Sequence, residues 1–166
     1  AFQNCTSLKS IILPDNVTAI QNYAFQSCSS LIEIKWGKSV STLGEGAFNN
    51  CDSITELEIP NSVTTVGVNA FYSCDGLTKI TIPDSVTSIG ASVFYACDAL
   101  KDVHLGTGIT AIPKSAFEHC DALESLVVPY RVTSIGENAF KDCVAFKEIT
   151  IPRSVANIAS TAFSYP

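Results

Sequence analysis

The chain has 166 residues, 46% of them hydrophobic and 16% charged, with a formal net charge of −6 and a pI near 4.7. An acidic surface argues against a nucleic-acid partner, because neutralising phosphates takes clustered Lys and Arg. No run approaches the roughly 18–20 continuous apolar residues of a membrane-spanning helix, so no membrane insertion is expected.

Met is absent and no signal-peptide pattern opens the chain. It reads as one domain over residues 1–166, excised from something longer. Phenylalanine recurs at Phe2, Phe25, Phe48, Phe71, Phe94, Phe117, Phe140 and Phe163. Cysteine follows at Cys5, Cys28, Cys51, Cys74, Cys97, Cys120 and Cys143, so both columns step by 23 residues. Disulfide frameworks and zinc sites show paired, uneven spacings instead. A fixed period of this size is the mark of a solenoid in which each repeat makes one turn.

Within each unit the first element after the cysteine is an extended segment. Its apolar columns begin Leu8, Leu31, Ile54 and Leu77, continue as Ile11, Ile34, Leu57 and Ile80, and end as Leu13, Trp36, Ile59 and Ile82. Alternation at the end of L-x-x-I-x-I turns Ile80 and Ile82 inward and Lys79 and Thr81 outward. Stacked about 4.8 Å apart, seven such segments are expected to build a parallel sheet. Trp36 lies in an inward column and reads as core. Pro14, Pro60, Pro83, Pro129 and Pro152, with Gly37 and Gly106 between them, close the segment, since proline has no N–H for a ladder.

A second short extended segment follows, from Val17/Ile20 to Val155/Ile158 in register. Gly44, Gly67, Gly90 and Gly136 come next and are expected to turn the chain with φ > 0. The A-F-x-x-C run after them has the length of one helical turn, with its Phe plugging the core.

These residues carry a specific resemblance. The unit L-x-x-I-x-I-P-x-S-V-T-x-I-G-x-x-A-F-x-x-C, seen almost unbroken over residues 77–97 as LTKITIPDSVTSIGASVFYAC, closely resembles the BspA-like leucine-rich repeat. The resemblance covers the whole chain. It implies an α/β leucine-rich-repeat right-handed solenoid, horseshoe-like, β-rich, with a parallel sheet, short helical turns and about seven turns. It departs from the standard repeat, which places Asn or Cys three residues after the strand; Ser85 stands there, so an asparagine ladder is not expected. Relatives of this kind are typically surface or secreted proteins of anaerobic bacteria and some protists. The resemblance therefore implies an extracellular or cell-surface, non-catalytic module that binds a protein or glycan in adhesion or host interaction. A structural spacer presenting another domain is the alternative.

The remaining constellations divide into core, turn and face. The cysteines read as a reduced structural ladder, because side chains in identical turns point the same way and not at one another. Asp52, Asp75, Asp98 and Asp121 form a column that Thr6 and Ser29 share. Its common chemistry favours capping of a turn N–H two residues on over calcium. The exposed strand face carries Glu33, Lys35, Glu56, Glu58, Lys79, Thr81, Asp102, His104, Val127 and Glu148, the candidate binding face. Glu56–Lys79–Asp102 alternates in sign, as a solvated sheet does, and an open face offers no dry pocket for a glycosidase pair. No catalytic, metal or cofactor site is expected. His104 and His119 fall in different columns and read as isolated surface histidines. Tyr130, Arg131 and Arg153 gather in successive turns as a second candidate patch, since stacked Tyr and Arg are enriched at binding hot spots. Tyr72 and Tyr95 make a similar pair on another edge. Uncapped repeats should leave apolar ends, near Ala1 and Pro166, that permit end-to-end self-association.

Overall fold

The computed structural model describes residues 1–165. Every repeat contributes one longer and one shorter strand. The longer set is β1 (Ser10–Ile12), β3 (Glu33–Lys35), β5 (Glu56–Glu58), β7 (Lys79–Ile82), β9 (Asp102–Leu105), β11 (Ser125–Val127) and β13 (Glu148–Thr150). The shorter set is β2 (Ala19–Ile20), β4 (Thr42–Leu43), β6 (Thr65–Val66), β8 (Ser88–Ile89), β10 (Ala111–Ile112), β12 (Ser134–Ile135) and β14 (Asn157–Ile158). All pairings are parallel, and the register follows the repeat: Glu56 faces Lys79, which faces Asp102. The chain is thus a β-solenoid of stacked turns with one sheet system on each side.

Neither system is one unbroken sheet. The longer strands pair as β1-β3, β5-β7-β9 and β11-β13. The lapse after β3 falls beside Trp36, whose indole is larger than the Leu, Ile or Val elsewhere in its column. The shorter strands pair as β2-β4-β6-β8 and β10-β12-β14, and here the cause is direct. In each neighbouring repeat the residue after the short strand donates its N–H to the turn before: Gly67 to the Leu43 carbonyl, Gly90 to Val66, Gly136 to Ile112. Pro113 occupies that position after β10, has no N–H to donate, and the ladder breaks between β8 and β10.

The A-F-x-x-C run forms hydrogen-bonded turns and no helix. Its N–H groups alternate between two kinds of acceptor. Ala24, Gln26 and Cys28 donate three residues back, whereas Tyr23, Phe25 and Ser27 donate to the next turn, at Glu45, Ala47 and Asn49. Half the donors a helix needs are therefore spent between turns. In each run from Tyr23 to Asp142 two residues adopt left-handed φ, as with Asn69 (56°) and Ser73 (51°) or Asn138 (56°) and Asp142 (59°). These breaks stop helix propagation.

Glycine has a different role from the one its turn position suggests. Of the nine glycines only Gly46 has positive φ, at 57°. Gly44, Gly67, Gly90 and Gly136 sit where a Cβ would press on the preceding turn's backbone, 2.7 Å from the Asn22 N at Gly44 and 2.7 Å from the Lys114 N at Gly136. Close stacking, and not backbone handedness, demands glycine there.

One continuous core runs through the stack from Ile20 to Ala162. Its spine is the phenylalanine column, stacked from Phe2 to Phe163 at centroid separations of 5.1 to 5.8 Å. Trp36 packs edge-on against Phe48 at 6.0 Å, in keeping with its inward column. No described helix is long and apolar enough to cross a membrane.

Candidate functional site

The cysteine column is built into this spine. Each thiol donates to the carbonyl of a Phe one turn back: Cys74 Sγ to Phe48, Cys97 to Phe71 and Cys120 to Phe94, each at 3.1 Å. The same carbonyls accept the N–H of their own repeat's cysteine, as Phe94 does from Cys97. The column therefore needs a small side chain that packs like a hydrophobe yet carries a weak donor. Burial pushes the Cys74, Cys97 and Cys120 thiols well above their ordinary value and Cys143 to about 12. All seven cysteines are free thiols. Ser85, where the standard repeat has Asn or Cys, makes a bond of its own, its hydroxyl donating to the Val63 carbonyl at 2.7 Å.

The aspartate column behaves otherwise than as turn caps. Among the described residues no hydrogen bond joins these carboxylates to an N–H two residues on, and all four aspartates are exposed. Desolvation raises Asp52, Asp75 and Asp98 above the usual carboxylate range, and the neighbouring aspartates add to the rise at Asp75 and Asp98. A stacked repeat places like charges one turn apart, at a cost that their exposure to solvent keeps small.

The outward residues of the longer strands form the broadest polar surface. Glu33, Lys35, Glu56, Glu58, Lys79, Asp102, His104, Val127 and Glu148 are exposed, and Thr81 is half-buried. Lys79 lies 3.8 Å from Asp102 in a solvated pair, which contributes little to stability. A groove of about 660 Å³ crosses the face, lined by Glu33, Trp36, Glu56, Glu58, Thr81 and His104 among others. A second, of about 550 Å³, takes in Asp102, His104, Val127 and Tyr130. His104 lines both, so the two grooves adjoin. Tyr130 and Val127 are 62% and 68% exposed and give this end an apolar character. Tyr130 thus borders the strand face, which joins the second patch to the first. The guanidinium near its ring is that of Arg131, 5.9 Å from the centroid; Arg153 is exposed in the following repeat.

On the turn side the tyrosine pair singled out from the sequence is joined by a charged cluster that sequence reading missed. Tyr72 and Tyr95 stack at 4.7 Å, and the His119 ring meets Tyr95 edge-on at 5.4 Å. His119 Nε2 is 3.6 Å from Asp142 Oδ2. Lys141 Nζ reaches Glu118 Oε1 at 3.1 Å and Asp142 Oδ2 at 3.7 Å. His119 is therefore part of a charged cluster and not an isolated surface residue. The signal was present in the columns: His119 and Asp142 occupy equivalent positions in consecutive repeats, and so do Glu118 and Lys141.

Comparison with known sequences and structures agrees with this architecture. The profile of the BspA type leucine rich repeat region matches in six copies, over residues 1–124 and 41–166. A leucine-rich-repeat protein of T. pallidum is 28% identical with a TM-score of 0.84, covering 90% of this chain and 72% of its own. A leucine-rich cell surface protein of Faecalibacterium prausnitzii is 27% identical (TM-score 0.66), with 98% of this chain and 59% of that one covered. A leucine-rich repeat protein of Bacteroides ovatus is 30% identical (TM-score 0.75), with 94% and 46% covered. No curated protein matches the chain.

Proposed function

Since this chain belongs to the BspA-type leucine-rich-repeat family, we propose that it is a non-catalytic module that binds a protein or glycan through its longer-strand face at a cell surface. The observation that carries this reading is the pair of adjoining grooves along that face, from Glu33 to Tyr130. Repetition sets one outward residue of each kind per turn, so a ligand laid along the face meets a row of side chains at regular spacing. The centre supplies carboxylates at Glu56 and Glu58, and the far end supplies Val127 and Tyr130. A polar surface with an aromatic anchor is the usual composition of a recognition patch. Arg131 and Arg153 extend it along the neighbouring turn edge. The surface location is supported by the F. prausnitzii neighbour, whose name is that of a cell surface protein.

The test is an array of matrix proteins and glycans probed with the chain and with a Glu56→Lys/Tyr130→Ala variant. Saturable capture that the variant loses supports the reading. Uniform failure to bind across the array favours a spacer. Turnover of any glycan that disappears in Glu56→Gln or Asp102→Asn would overturn the non-catalytic assignment.

A further inference from the structure

We propose that Glu118, His119 and Asp142 form a binding site for a borderline divalent transition-metal ion such as Zn²⁺, held closed in the free protein by the Lys141 ammonium. The site is separate from the strand face. One ligand atom from each of the three residues lies within 4.8 Å of the others, a spread that a single ion can gather with small side-chain rotations. The Glu118 side chain is 92% buried, its exposure being 8%, so the site has one fixed carboxylate at its floor. Asp142 supplies the independent pointer: its Oδ2 faces His119 and Lys141, while its Oδ1 is buried with no hydrogen-bond partner among the described residues. An orphaned carboxylate oxygen is costly to bury, and a cation held by both oxygens would satisfy the one that Lys141 leaves unpaired. The Tyr95 ring, edge-on to His119, fixes the imidazole against the two acids, as outer groups orient metal-bound histidines.

Chemistry narrows the ion. One imidazole and two carboxylates suit zinc, cobalt, nickel or copper, whereas calcium prefers about 6–8 oxygens. Lys141 already places a positive charge on the same carboxylates, 3.1 Å from Glu118 Oε1 and 3.7 Å from Asp142 Oδ2. Its side chain is 36% exposed, so it has a path into solvent when an ion takes its place. Ammonium and metal are thus competitors. A bound ion would tie together two consecutive turns through residues 23 apart in sequence, His119 and Asp142.

Isothermal titration of the chain with Zn²⁺ tests this, with Ca²⁺ as control and Co²⁺ absorption to identify the donors. The expected result is one-to-one Zn²⁺ binding with a Co²⁺ spectrum free of thiolate charge-transfer bands. Second-layer changes alone weaken metal sites by about 10–100-fold, so His119→Gln and Asp142→Asn should each weaken binding by roughly a hundredfold. Lys141→Ala should strengthen it, because the competitor is gone, and His104→Gln should leave it unchanged. Undiminished affinity in His119→Gln, a thiolate band in the Co²⁺ spectrum, or no Zn²⁺ binding by Lys141→Ala would each overturn the assignment. Both ligand variants are near-isosteric, and an unchanged circular dichroism spectrum separates lost ligation from lost fold.

Discussion

Replacing Phe94 with Ala removes the middle of the aromatic spine. Phe94 is fully buried and stacks on Phe71 at 5.8 Å and Phe117 at 5.3 Å. Deleting a buried phenylalanine from a core that relaxes only partly costs about 3–5 kcal/mol. The upper half of that range is expected here, because two aromatic contacts worth about 0.5–1.5 kcal/mol each go with it. Phe163 is the comparison. It is 41% exposed and stacks on Phe140 at 5.1 Å, with only a looser, tilted contact to Phe146 at 6.4 Å. Its truncation should cost roughly 1–2 kcal/mol. Urea unfolding followed by circular dichroism measures both. Trp36, the sole tryptophan, reports separately on the early turns through its contact with Phe48. In a stack coupled only through nearest neighbours, Phe94→Ala should also separate the two signals, with Trp36 reporting a transition distinct from the whole. Equal losses in the two variants, or a Phe94→Ala loss below about 2 kcal/mol, would refute the reasoning.

Two further predictions concern residues whose role the structure redefines. Gly90→Ala should cost about 2–3 kcal/mol through overpacking against the Val68 backbone. Gly90→Asn should be no milder; a marked rescue by Asn, which tolerates left-handed φ, would restore the backbone-handedness explanation. The buried thiols make stability depend on alkaline pH. Their folded pKa values lie above the ordinary value of 9.0, so their contribution is complete below pH 9 and is lost as pH climbs from there through the folded values. Cys97→Ala/Cys120→Ala should unfold more readily at pH 7 yet show a shallower alkaline decline, by up to about 1.4 kcal/mol per pH unit for each thiol removed. Urea midpoints across pH 7 to 11 (on the order of five points) measure it, and an unchanged slope would mean that other groups carry the effect.

The legible part of this protein was its periodicity. A fixed step for Phe and Cys located every turn, and alternation in L-x-x-I-x-I placed Ile80 and Ile82 inside with Lys79 and Thr81 outward. What failed were inferences drawn from residue type within one repeat. Gly90 reads as a left-handed turn when seen alone, but its constraint comes from Val68 in the turn before. A-F-x-x-C has the length of a helical turn, yet every second N–H is claimed by the next turn. The Asp75 column looked like local capping and is a ladder of exposed like charges one turn apart. Pro113 interrupts the short-strand ladder because the equivalent N–H groups of neighbouring repeats reach across turns. Cys97 looked merely apolar, and its thiol serves a carbonyl one repeat away. In each case the deciding contact lies one turn away, near 23 residues along the chain. The His119–Asp142 approach belongs to the same class, and only comparison of adjacent columns exposes it.

The strand-face assignment is tested most directly by comparing two surface variants against whichever matrix protein or glycan the array captures. Glu58→Lys/Lys79→Glu reverses charges at the centre of the longer-strand face, while Val68→Lys alters an exposed residue in the turn beyond the shorter strands. Surface plasmon resonance should show affinity falling by about tenfold or more in the first, on the order of a kcal/mol or greater, with little change in the second. Full affinity in the strand-face variant together with loss in Val68→Lys would contradict the account and move the binding surface to the turn side.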